Sequence, residues 1–215
     1  MLRHIVSNEL FTTLIVFGLL IVATAKLLSP KRFNDFILIL GNYNYLKIYS
    51  RDQKFFDKFD GLLFINLIVS TSIFGFIIYE HITGNKIASA SSISRLSFTI
   101  GTFILIKILI ERLIGSLFQI DSLIDQYLFQ KTSYKNYLGI LLLPINALLL
   151  FSFQPTLTII YIITALLLII NVIGLITSYK THQNIIKVNF SYFILYLCTL
   201  EIAPYIILYK VFITK

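Results

Sequence analysis

The sequence predicts an all-α fold, a polytopic transmembrane bundle of about six spans with no soluble domain of any size. Three observations predict it. Hydrophobic residues make up 57% of the 215 residues and charged residues only 13%, against about 25% charged in a soluble domain. The mean hydropathy is +0.86. Several runs reach the ~20 apolar residues that a spanning helix needs.

The first span is placed at residues 10–28. The ten residues at the N-terminus carry one Arg and one Glu, and the apolar run is longer than a signal-peptide core. Ala23-Thr24-Ala25 is followed by Lys26 and more apolar residues, not by a polar mature start. The segment therefore reads as a retained span. Residues 33–49 mix apolar side chains with Asn, Tyr and Lys, too short and polar to cross, and predict an interfacial helix lying on the bilayer. The second span is placed at 61–79 and the third at 96–118. Residues 120–129, with Asp121 and Asp125 at helical spacing, read as a continuation of the third helix. The fourth and fifth spans, 137–153 and 156–179, meet at Ser152-Phe153-Gln154-Pro155, a turn short enough for a tight antiparallel hairpin. The sixth span is placed at 190–212.

The net charge of +8 lies in short loops beside the spans, with no arginine-rich tail or nucleic-acid module. Anionic headgroups are the expected partners, and nucleic acid is not. The loops after spans one, three and five hold Lys26, Lys31, Arg32, Lys47, Arg51, Lys54, Lys58, Lys131, Lys135, Lys180 and Lys187, eleven in all. The other side holds five: Arg3, Lys86, Arg95, Lys210 and Lys215. Positive residues stay in the cytoplasm, so both termini are expected outside, in the periplasm of a bacterial inner membrane. Tryptophan is absent, and thirteen tyrosines must supply the interfacial belt. The single cysteine, Cys198, excludes a disulfide framework and a cysteine-based zinc site. No cofactor, metal ligand or catalytic residue is expected.

Intramembrane charges are the main candidates for a site. Lys107 and Glu111 share a helix face, with Arg112 about 100° further round. Glu201 lies near the middle of the sixth span, beside Pro204. Counted at 1.5 Å per residue, Glu201 and Lys107 lie about 12 and 16 Å below the outer surface, nearly the same depth. The expectation is a mid-bilayer cluster of Lys107, Glu111, Arg112 and Glu201. It serves either as a proton or ligand site or as a clasp or docking point, the second reading favoured because intramembrane charges find partners. Asn66, Asn146 and Asn171 are expected in interhelical hydrogen bonds. Pro144 and Pro204 are positions where spans four and six can kink.

On the cytoplasmic side, Lys47, Arg51, Asp52, Lys54, Asp57, Lys58 and Asp60 form a run expected to face headgroups. Asp57-Lys-Phe-Asp60-Gly61 resembles the opening of the CDP-alcohol phosphotransferase signature. The Ala-Arg and the later aspartate pair of that signature are missing, so the resemblance fails at most of its ligands. His4 and His81 fall on one side and His182 on the other, too far apart for one site.

The stretches Phe190-Ser-Tyr-Phe-Ile-Leu-Tyr-Leu-Cys-Thr-Leu-Glu-Ile-Ala-Pro204 and Lys47-Ile-Tyr-Ser-Arg-Asp-Gln53 resemble an uncharacterised family of multi-pass inner-membrane proteins of Bacteroidota, over nearly the whole chain. The resemblance implies a location and no chemistry. The expected function is a non-enzymatic subunit of a cell-envelope complex for secretion, motility or lipoprotein handling, with membrane-protein partners. The alternatives are a small proton-coupled transporter component using Glu201 and a lipid- or polyprenol-modifying enzyme working at the loop from Lys47 to Asp60.

Reporter fusions test the topology. Fusions after Lys54, Lys131 and Lys180 are expected to report cytoplasm, and those after Lys86 and Lys215 periplasm. A cytoplasmic C-terminus would show that the span count is wrong.

Overall fold

The computed structural model describes residues 9–41, 44–50, 57–83, 90–117, 121–153 and 155–181. Apart from short turns these residues are helical: α1 (Glu9–Leu28), α2 (Pro30–Ile37), α3 (Asn44–Tyr49), α4 (Lys58–Thr83), α5 (Ala90–Leu117), α6 (Asp121–Phe151) and α7 (Leu157–Thr181). Five helices (α1, α4, α5, α6 and α7) are long and apolar enough to cross a membrane. The sixth expected span, with Glu201 and Pro204, lies outside the described residues.

α1 stops where Ser29 precedes Pro30, because a residue before proline is pushed out of the helical region. Pro30 then starts α2 at the first-turn position where its missing N–H costs nothing. α2 ends in turns around residues 38–41, closed by the Ile39 and Gly41 N–H groups donating to the Phe36 and Leu38 carbonyls. The single interfacial helix expected over 33–49 is thus two short helices. Phe33, Phe36, Ile39, Tyr45 and Leu46 are buried with Ala25, Phe59, Leu63, Phe129 and Tyr134. The segment turns its aromatic face into the bundle.

The larger correction concerns α6. Residues 121–129 do not extend the third helix; they open a 31-residue helix that runs without a break through Pro144. At 1.5 Å per residue it is about 46 Å long, well beyond the ~30 Å hydrocarbon layer. Its first half carries Asp125, Gln130, Lys131, Lys135 and Asn136. Its buried polar groups, Gln130, Lys131 and Asn136, face protein, where no apolar signal is needed. Lys131 and Lys135, counted above with a loop, lie inside α6.

The packing contacts give the helix directions. Ala25 meets Phe59 and Leu63 in one cluster, and Phe11 meets Ile73 and Phe76 in another, so α1 and α4 are antiparallel. Asn136 bonds to Asp60 and Asn146 to Ser70, so α6 runs parallel to α4. Gly101 faces Ile68 and Gly75 faces Leu96, which makes α5 antiparallel to α4. Gly174 faces Tyr134, which makes α7 antiparallel to α6 across the short turn. One end of the bundle therefore collects α2, α3, the starts of α4 and α6 and the ends of α1, α5 and α7; below it is the basic end.

α4 and α6 are the central pair. A Cβ added at Gly139 would lie 2.7 Å from the Leu67 Cα, so the two backbones touch and only glycine fits. Gly139→Ala is expected to destabilise the bundle by about 1–3 kcal/mol through overpacking. Gly41→Ala, whose Cβ would meet the Leu38 carbonyl oxygen only at 4.0 Å, should stay within about 0.5 kcal/mol of wild type. Thermal unfolding of both variants in detergent checks the contrast.

Candidate functional site

Polar groups gather at the basic end in two clasps, and a third set runs from there into the bundle. The first clasp centres on Arg32 of α2. Its Nη1 donates to Asp57 and its Nη2 to Asp60 Oδ2 at 2.7 Å. The guanidinium carbon lies 4.8 Å from the Phe59 ring centre and 5.2 Å from that of Tyr49. A planar, delocalised cation between two aromatic faces and two carboxylates is a setting that arginine fills and lysine does not. Burial works against the Arg32 charge; Tyr45, Asp60 and Asp57 outweigh it, and its pKa lies above the ordinary arginine value. Tyr49 donates to Asp35 Oδ2 at 3.2 Å, tying α3 to α2. Burial, then the Asp60 charge, push the Tyr45 hydroxyl well above the ordinary tyrosine range, so it stays protonated.

This arrangement answers the question raised by Asp57-Lys-Phe-Asp60-Gly61. Both carboxylates are engaged by Arg32, and among the described residues no group of three His, Cys, Asp or Glu side chains could hold a metal. Within the expected headgroup-facing run, Asp57 is half exposed and Asp60 mostly covered. Lys47 lies in α3 and Lys58 opens α4, whereas Arg51, Asp52 and Lys54 fall outside the described residues.

The second clasp joins α5 to α6. Lys131 Nζ donates to Glu111 Oε1 at 2.5 Å; Glu111 is 0% exposed and Lys131 8%. The Lys131 ammonium also lies 5.6 Å from the Tyr127 ring centre. Arg112 approaches Asp125 at 3.7 Å on the outside of the same helix pair. The expected cluster is thus distributed differently. Glu111 and Arg112 have partners on α6, and Lys107 faces a lateral recess beside Lys135. Their depth also differs from the expectation. With Gly101 opposite Ile68, ten residues further along antiparallel α5 bring Glu111 level with about the first turn of α4. The Glu111–Lys131 pair therefore lies at the basic end of the bundle and not midway along it. Sequence reasoning missed Lys131, although a glutamate inside an apolar helix demands a cation from elsewhere.

The third set is a seam along α4 and α6. Asn136 Nδ2 donates to the Asp60 carbonyl at 3.4 Å, and Asn146 Nδ2 to the Ser70 carbonyl at 2.8 Å. Those bonds fix the amide orientations and turn both Oδ1 atoms away from the donors. Asn136 Oδ1, Asn146 Oδ1, both amide atoms of Asn66 and the Ser70 hydroxyl are buried with no protein partner among the described residues. Gly18 of α1 lets the backbone approach Asn66, since a Cβ there would lie 3.1 Å from Asn66 Oδ1. Asp60 and Ser70 are ten residues apart, so the seam reaches about 15 Å from the basic end. Each unmet buried group costs roughly 1–3 kcal/mol, too much for a dry interior to carry so many. The seam has hydrogen-bonding capacity for small polar guests such as water.

Residues 11–212 match the family described as Domain of unknown function (DUF4271). The chain belongs to this family. No curated protein and no solved structure matches it. The family match takes in both clasps, the seam and every described helix, apart from the first residues of α1.

The second clasp yields a double-mutant test. Glu111→Gln leaves Lys131 uncompensated and is expected to cost about 3–5 kcal/mol, as breaking a buried pair does. Adding Lys131→Met should recover much of that loss. Additive losses in chemical unfolding would show that the two side chains are not coupled.

Proposed function

We propose that this membrane protein is a non-enzymatic inner-membrane subunit of a larger cell-envelope complex, with both termini in the periplasm. One observation carries the reading. α5 is as little covered by the rest of the bundle as α7, yet it is clearly less apolar. A helix turned to lipid gains from being as apolar as α7, whereas a helix awaiting a protein partner tolerates polar groups. The outward Arg112–Asp125 pair stabilises the fold little, as exposed ion pairs do. It suits the rim of an interface with a second membrane protein. The charges of the two clasps are spent inside the bundle, which also favours a structural role over chemistry at the loop from Lys47 to Asp60.

A second reading, a proton-coupled transporter component, is favoured by the seam of Asn66, Ser70 and Asn146. Its Glu201 lies outside the described residues.

Leu109 and Leu113 share the outward face of α5 and are both more than half exposed. Affinity capture of the full chain in mild detergent is expected to retain a membrane protein in fixed stoichiometry. The Leu109→Trp/Leu113→Trp variant should lose it while unfolding at the same temperature. Capture of a lone chain that moves protons in proteoliposomes would instead establish the second reading.

A further inference from the structure

A recess of about 270 Å³ lies over α4 and α6, between α5 and α7. Most of its wall is apolar, but Lys107 of α5, Lys135 of α6 and Asn171 of α7 also line it. Both lysines already interact with a neighbour, and no carboxylate is among the described residues of the wall. Helix register puts the three polar residues at one height. Lys135 neighbours Asn136, which bonds to Asp60. Lys107 is six residues beyond Gly101, which faces Ile68, and Asn171 is three before Gly174, which faces Tyr134. Each therefore lies within about one turn of the height of Asp60.

Two ammonium groups on an apolar wall call for a counter-charge, and the chain has ten acidic residues to supply it. Asp57 and Asp60 are held by Arg32, Glu111 by Lys131, Asp125 faces Arg112, and Asp35 accepts from Tyr49. Glu9 opens α1 and Glu80 is twenty residues past Asp60, so both belong to the opposite end of the bundle. Asp121 opens α6, fourteen residues or about 20 Å before Lys135. Asp52 stands between Arg51 and Lys54 in the connection before α4, with cations beside it. Glu201 is left, and it belongs to an apolar run of span length.

Glu201 also reaches the right height. Ten residues of α7 separate Asn171 from the helix end at Thr181, and eleven separate Phe190, where the expected sixth span starts, from Glu201. An antiparallel return through residues 182–189 brings Glu201 level with Asn171, each about 15 Å in from the turn.

We propose that residues 190–212 pack over the recess between α5 and α7, and that Glu201 is the carboxylate that Lys107 and Lys135 share, with the Asn171 amide beside it. The recess is too small for a helix and suits side chains reaching in from one. The site is a third clasp: it holds the last span by charge, as Arg32 holds α2 to α4 and Glu111 holds α5 to α6. It does not depend on a protein partner at the outward face of α5.

Disulfide trapping in the full chain, with Cys198→Ser as background, tests the placement. Tyr205 shares the face of Glu201 one turn deeper, and Ile104 lines the recess about one turn deeper than Lys107. Oxidation of Ile104→Cys/Tyr205→Cys in native membranes is expected to link most of the protein, since a disulfide needs Cα atoms within about 7 Å. Leu109→Cys/Tyr205→Cys, whose first cysteine lies on the outward face of α5, is expected to stay open. Unfolding temperatures in detergent test the charges. Glu201→Lys is expected to lower the midpoint by about 5 °C or more. Adding Lys107→Glu, which restores one carboxylate and two ammonium groups, is expected to recover most of that loss. Linkage to position 109 in place of 104, or a charge-swapped variant no more stable than Glu201→Lys alone, would overturn the proposal.

Discussion

The contact of α4 with α6 at Gly139 and Leu67 governs the rest of the architecture. Backbone against backbone leaves no room for a side chain between the helices, and it fixes their register for the whole length of the pair. Lipid offers no hydrophobic drive between helices, so close packing and hydrogen bonds must supply the association. The Asn136–Asp60 and Asn146–Ser70 bonds lie on either side of the glycine contact along α6. α1 closes one flank through Gly18, while α5 and α7 lean on the others. The seam of Asn136, Asn146 and Ser70 is positioned by that register.

The two clasps then solve a common problem by different means. Arg32 sits where water can still reach Asp57, and its aromatic neighbours supply a face for the guanidinium without removing it wholly from solvent. Glu111 and Lys131 have no such access and must neutralise each other. The first joins the α2–α3 segment to the start of α4. The second joins the end of α5 to α6 near a three-residue connection.

Much of this was legible in the sequence. Residues 10–28 fall in α1, 61–79 in α4 and 96–117 in α5, and the turn at Pro155 separates α6 from α7. α6 was misread because a search for apolar runs assumes that lipid is the neighbour. Its first half is helical on another basis: Ile124, Tyr127, Leu128, Lys131, Tyr134 and Leu138 recur every three or four residues and are buried in the bundle. That period continues in phase through Leu142 and Leu149, a sign of one helix that hydropathy alone hides. The aromatic packing of residues 33–46 was hidden for a similar reason. Interfacial and inward-facing helices share the same mixed composition, and only the partners Phe59, Phe129 and Tyr134 distinguish them.

The polar half of α6 has a consequence for how the protein is made. A helix that carries Gln130, Lys131, Lys135 and Asn136 leaves the translocation channel for lipid less readily than α1 or α7, since each such group is costly in hydrocarbon. Its partners Asp60, Ser70 and Glu111 all belong to helices synthesised earlier. Stable insertion of α6 is thus conditional on α4 and α5 being held nearby, and the order of the helices along the chain is also the order in which the membrane can accept them.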